Sequence, residues 1–186
     1  NVGSKVIMAM TLITTNTSSN AASSSFTSGI DSTYKLYIFK FLDINAETDA
    51  VNFTFQVNAT DGADYNDSPL TTTYFMAEHY EDDSGTPALV YKTALDLGNA
   101  ASFQPLAQGL GNGADESCSG TMWLFNPSQT TYVKHFYSTF TNNNYANLMI
   151  QSFVGGYIND TTAIDDIQFK MSSGNFDGTI KMYGVG

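Results

Sequence analysis

The chain has 186 residues, a net charge of −11 and only 13% charged residues, which fits one domain whose surface is built mostly from Thr, Ser and Asn. Its 42% hydrophobic and 13% aromatic content supplies a real core and excludes a disordered chain. All seven bases are Lys, with no Arg, which excludes nucleic-acid partners that need phosphate neutralised and argues against bidentate anion clamps.

In chain order, residues 5–13 are apolar but short and interrupted, so they read as a strand and not as a signal-peptide core. No apolar run approaches the roughly 18 residues that would span a bilayer. Residues 16–25 are rich in Ser, Thr, Asn and Ala and read as a flexible loop or an extended surface strand. Residues 1–25 are therefore expected to form a strand-and-loop arm ahead of a domain spanning 26–186. Such an arm suits donation of a strand to a neighbour, with an ordinary first strand of the sandwich as the alternative.

Residues 34–42 are apolar on both faces of a strand. Tyr37, Phe39 and Phe41 share one side, while Leu36, Ile38 and Leu42 share the other with Lys40. The strand is either covered on both sides or presents its aromatic side to a partner, which makes Tyr37, Phe39 and Phe41 the interface candidates. Val51, Phe53, Phe55 and Val57 alternate with polar residues, the pattern of a strand buried on one face. Asp61, Asp64, Asn66 and Asp67 gather hard oxygen ligands at short spacing and form a calcium candidate, though not an EF-hand. An acidic turn bonded to its own backbone accounts for the same residues. No other cofactor is indicated.

His79 and His135 are the only histidines. Neither belongs to a nucleophile motif, and Cys118 is a lone thiol, read as a small buried side chain. The four Glu lie in turn-like or loop-like segments, and nothing pairs two acids across a cleft as glycoside hydrolysis requires. No catalytic residue is assigned. The runs Glu81-Asp82-Asp83 and Asp165-Asp166 read as solvated turns. Tyr65, Tyr80 and Tyr145 stand in polar, loop-like settings and are the glycan-binding candidates, because an exposed ring beside Asn or Asp suits a sugar face.

Residues 108–120 read as a long Gly- and acid-rich loop. The turn 126–129 separates a strand at 121–125 from one at 132–140, which carries Tyr132, Phe136 and Phe140 on one face. Residues 142–144, 155–156 and 172–175 are loop markers, and 167–171 is a further one-sided strand. Strand formers dominate and no stretch shows a helical period. The expected fold is all-β: a single two-sheet antiparallel sandwich of jelly-roll type.

The segments Gly120-Thr121-Met122-Trp123-Leu124-Phe125-Asn126-Pro127-Ser128 and Thr131-Tyr132-Val133-Lys134-His135-Phe136 resemble those of marine bacteriophage virion structural proteins. So do residues 163–176, the closing Gly178-Thr179-Ile180-Lys181-Met182-Tyr183-Gly184-Val185 and, upstream, residues 26–39. Met182 stands where that family's last strand carries Leu, a volume-conserving exchange. The resemblance implies a non-enzymatic sandwich on the virion surface, as a capsid decoration, a tail or head fibre or a tail-tip domain. A virion building block of this kind is expected to partner copies of itself, in a closed ring of three-fold symmetry, and a capsid or tail protein. A host-surface glycan is the alternative partner. The resemblance carries no catalytic motif.

Overall fold

The structure is a computed structural model that describes residues 9–59, 64–65 and 67–186. Its strands are β1 (Met10–Ala21), β2 (Ser24–Phe26), β3 (Leu36–Ala46), β4 (Val51–Ala59), β5 (Leu70–Tyr80), β6 (Ala88–Tyr91) and β7 (Gly98–Ala100). They continue with β8 (Gln104–Leu110), β9 (Cys118–Phe125), β10 (Lys134–Asn143), β11 (Leu148–Ile158), β12 (Ile164–Met171) and β13 (Phe176–Val185).

Four antiparallel pairs form a ribbon: β1 with β13, β2 with β12, β3 with β9 and β4 with β8. The ribbon is rolled so that β13 also meets β3 and β12 also meets β4. The result is β1-β13-β3-β9 in one sheet and β2-β12-β4-β8 in the other, the two four-stranded sheets of a jelly roll. Strands β5 to β7 are inserted between β4 and β8, and β10 and β11 between β9 and β12. Both insertions add to the first sheet beyond β9, in the order β10-β11-β5-β6 with β7 also on β5. A nine-stranded sheet thus packs on a four-stranded one.

The core between the sheets is mostly aromatic. Phe169 of β12 lies 4.9 Å from Phe41, 5.4 Å from Phe39 and 6.1 Å from Phe53, ring centre to ring centre. This corrects the interface expectation for Tyr37, Phe39 and Phe41: all three are buried inside the chain. Tyr37 tolerates burial because its hydroxyl accepts from the Asp31 backbone N–H at 2.8 Å and donates to the Asp31 carbonyl at 3.0 Å. Burial raises its pKa, the Asp31 contacts modifying that shift.

Several local expectations change with the tertiary structure. Residues 10–26 form no separate arm, since β1 and β2 are the first strands of the two sheets. Residues 108–110 complete β8 and residues 118–120 open β9, leaving a loop of 111–117 held by the Glu116 carboxylate on the Gly113 N–H at 2.7 Å. Gly155 and Gly156 lie within β11, where a Cβ on Gly156 would stand 2.4 Å from the Thr71 carbonyl of the neighbouring strand. Asp165 and Asp166 lie in β12. Tyr132 precedes β10, because the Gln129 side-chain carbonyl accepts from the N–H groups of Thr131 and Tyr132 at 2.8 and 2.7 Å and closes a turn there. Phe136 and Phe140 do face the core.

The small sheet's outer face is covered by the chain itself. Thr54, Gln56 and Asn58 of β4 point away from the core yet are buried. Gln56 donates to the Ser102 carbonyl at 3.1 Å, and the Lys170 ammonium sits 3.9 Å from the Phe103 ring centre.

Candidate functional site

Among the described residues, the outer face of the large sheet has no such cover. Strand alternation and register place its outward side chains in transverse rows. One row runs Tyr183, Ile38, Trp123, Tyr137, Gly155 and Thr73 across β13, β3, β9, β10, β11 and β5. A second runs Lys181, Lys40, Thr121, Thr139, Phe153, Phe75 and Tyr91. A third carries Val185, Leu36, Phe125, His135 and Tyr157. Trp123 stacks on Tyr137 at 4.4 Å and 15°, and Phe75 on Phe153 at 5.0 Å and 11°. Phe75, Tyr91, Phe125, Tyr137, Met149 and Phe153 are all exposed. Exposed rings gathered on one sheet face, with Lys181, Lys40, Thr121 and Thr139 set among them, make this face the candidate interaction surface.

Its charge is as distinctive as its apolarity. The chain holds 18 acids, yet no outward position in these three rows is Asp or Glu. Lys40 and Lys181 stand directly opposite each other on β3 and β13. Like charges at such positions repel. The Lys40 ammonium donates to the Thr121 hydroxyl at 2.9 Å and lies 5.8 Å from the Trp123 ring centre. His79 Nε2 lies 3.3 Å from the Asp83 carboxylate on the surface.

The structure does not gather the three glycan-candidate tyrosines. Tyr65 packs beside Phe103 at 6.5 Å. Burial raises its pKa, with Asp166 and Asp165 nearby adding to the effect. Tyr80 ends β5, paired with Leu148, and Tyr145 lies in the turn between β10 and β11. Tyr80 lines an open cleft of about 560 Å³ with Glu81, Asp82, Ser84, Ala146 and Asn147. Of the calcium candidates, Asp61 and Asn66 lie outside the described residues. Asp64 and Asp67 are described, and among the described residues no three His, Cys, Asp or Glu side chains gather as a metal set would.

His135 faces outward 6.1 Å from Tyr157, and Cys118 is buried, which drives its thiol pKa upward. Sequence reasoning missed the outer face as a site because each strand contributes only one or two of its rings. The signal that could have found it is the second apolar side of β3, made by Leu36, Ile38 and Leu42.

A search of family models and a search of curated proteins find no match to the chain. No helix among the described residues is long and apolar enough to cross a membrane.

Proposed function

We propose that the chain is a non-enzymatic structural subunit of the exterior of a bacteriophage particle, a capsid decoration or a fibre domain, that acts by docking through the outer face of its large sheet. The observation that carries the docking is the aromatic outer face of the nine-stranded sheet, uncovered among the described residues and with no Asp or Glu in its three central rows, set against a small sheet already covered by the chain's own loops. Aromatic enrichment with charge depletion is what distinguishes the centre of a protein interface from ordinary surface. The phage assignment draws on the resemblance of residues 120–136 and 163–185 to virion proteins. The reading without catalysis draws on the absence of a nucleophile motif or a facing pair of acids in the sequence.

The test is the position and copy number of the chain in a reconstructed particle. Regular copies over the capsid lattice, or a fixed set at the tail, with the large sheet turned toward a neighbour, are expected. The large-sheet face standing in solvent on every copy would overturn the docking.

A second reading, adsorption to a host glycan, is favoured by one observation, the cleft where Tyr80 meets Glu81, Asp82 and Asn147. An exposed ring beside carboxylates and an amide suits a sugar. A glycan array that binds the chain and loses signal in Tyr80→Ala would support it. No signal with or without calcium would remove it.

A further inference from the structure

We infer that the partner on the outer face of the large sheet is a second copy of this chain, related by a two-fold axis parallel to the strands and passing between β9 and β10. The inference rests on the docking reading above and names its occupant.

Three features of the face support self-pairing. The first is area. Eight strands about 4.8 Å apart and about six residues long at 3.3 Å each cover roughly 700 Å², close to the ~800 Å² per partner of a standard interface. Two such sheets can pack face to face within about 30° of alignment.

The second is shape. The proposed axis exchanges β9 with β10, β3 with β11 and β13 with β5, since these lie at equal distances either side of it in the sheet order. Rows are preserved. In the row of Trp123, each Trp123 then faces Tyr137 of the partner subunit, and each Ile38 faces Gly155 of the partner subunit. Gly155 is the outward position with no side chain, so a bulky residue meets a hole. The chain's own packing does not require a glycine there: a Cβ would come no closer than 3.8 Å to any neighbour, and the backbone is not in the left-handed region. The hole has a use only if something fills it.

The third is charge. In the next row the same axis lays Lys40 over Phe153 of the partner subunit and Lys181 over Phe75 of the partner subunit. The repelling lysine pair of one copy therefore meets the stacked ring pair of the other, a cation–π arrangement. A two-fold axis across the strands would instead set like strand on like strand and lysine near lysine. With no Asp or Glu in the three rows, and the Asp96 carboxylate at the β6 edge held by the Tyr91 hydroxyl at 2.6 Å, two chains of net charge −11 can approach without burying an unpaired acid at the centre of the contact.

Sedimentation equilibrium of the full chain tests this. The expected mass is twice 20.2 kDa, with association tightening as salt rises, because screening relieves repulsion between two acidic copies. Gly155→Leu should weaken association at least tenfold without lowering the urea midpoint of the dilute chain, and Lys181→Glu should also weaken association. Tyr145→Ala, an exposed ring in the turn between β10 and β11, should leave association unchanged. A single-copy mass at every concentration, a trimer mass, or a dimer indifferent to Gly155→Leu would overturn the inference. A chain that stays single in solution but turns this face toward a capsid or tail protein in the particle would overturn self-pairing and leave the docking reading standing. Failure of both would show the face in solvent in both experiments.

Discussion

Replacing Phe169 by Ala removes the ring that joins the two sheets. Phe169 is fully buried and lies on β12 of the small sheet. Its ring centre stands 4.9 Å from Phe41 and 5.4 Å from Phe39, both on β3 of the large sheet. It also stands 6.2 Å from Phe26, 6.1 Å from Phe53 and 6.4 Å from Phe55, all in its own sheet. Phe→Ala in a packed core costs about 3–5 kcal/mol, the lost transfer energy plus the cavity left behind. Five ring neighbours on both sheets resist collapse into that cavity, which places this position near the upper end. For a domain of this size each kcal/mol lowers Tm by about 2–4 °C, so a drop of roughly 8–20 °C is expected. Urea unfolding followed by the fluorescence of Trp123, the single tryptophan, measures the loss directly. Tyr132→Ala serves as the control, at 73% exposure, and should fall within about 0.5 kcal/mol of the parent. A Phe169→Ala cost below about 1.5 kcal/mol, or one equal to the control, would refute the claim that this ring locks the sandwich.

Alkaline pH should destabilise the chain. Burial pushes the Tyr74 hydroxyl up to about 12 and raises the Cys118 thiol further. A raised folded pKa gives stability that is full below the unfolded value and lost as pH climbs toward the folded one. The loss therefore begins near pH 9, the ordinary value of a cysteine thiol, and for Tyr74 runs from 10 to about 12. Tyr74 alone accounts for about 2–3 kcal/mol of it. Lys134, whose pKa burial lowers, works in the opposite sense below 10.5. Urea midpoints at neutral and alkaline pH check this, and Tyr74→Phe should flatten the fall. Gly120→Ala should cost several kcal/mol or rearrange β9 and β10, because its Cβ would lie 2.5 Å from the Phe140 ring and 2.6 Å from the Thr139 carbonyl. Gly98→Ala meets nothing within 4 Å and should stabilise by about 0.4–1 kcal/mol through the unfolded chain; thermal melts of both variants decide. If calcium binds at Asp64 and Asp67, adding it should raise Tm and a chelator should reverse the gain; an unchanged melt would remove the site.

The period-two pattern made the strands legible because side-chain alternation is a local property of extended backbone. Val51 to Val57 and the segment at 167–171 read directly as strands, and the all-β class followed. Turns were harder. Gly155 and Gly156 look like loop residues, yet β11 runs through them because the strand beside it crowds Gly156. Residues 108–120 look like one loop, but their ends pair with strands distant in sequence. Asp165 and Asp166 read as a turn, while the pairing of Ile164 and Asp166 with β4, on either side of an irregularity at Asp165, holds them in β12. Burial, with Asp165 beside it, raises the Asp166 pKa.

The sequence by itself determined that this is a single all-β domain with a low-charge, Arg-free surface and a third strand apolar on both sides. It could not decide which side of that strand lies inside. Tyr37, Phe39 and Phe41 became core and Leu36 and Ile38 became surface only because β12 and β4 close over one side of the sheet. The jelly-roll order was equally out of reach, since β1 finds β13 across nearly the whole chain. The aromatic outer face is wholly tertiary: it joins rings on β9 and β13 to rings on the strands that two insertions add to one sheet edge, and no local period records that meeting.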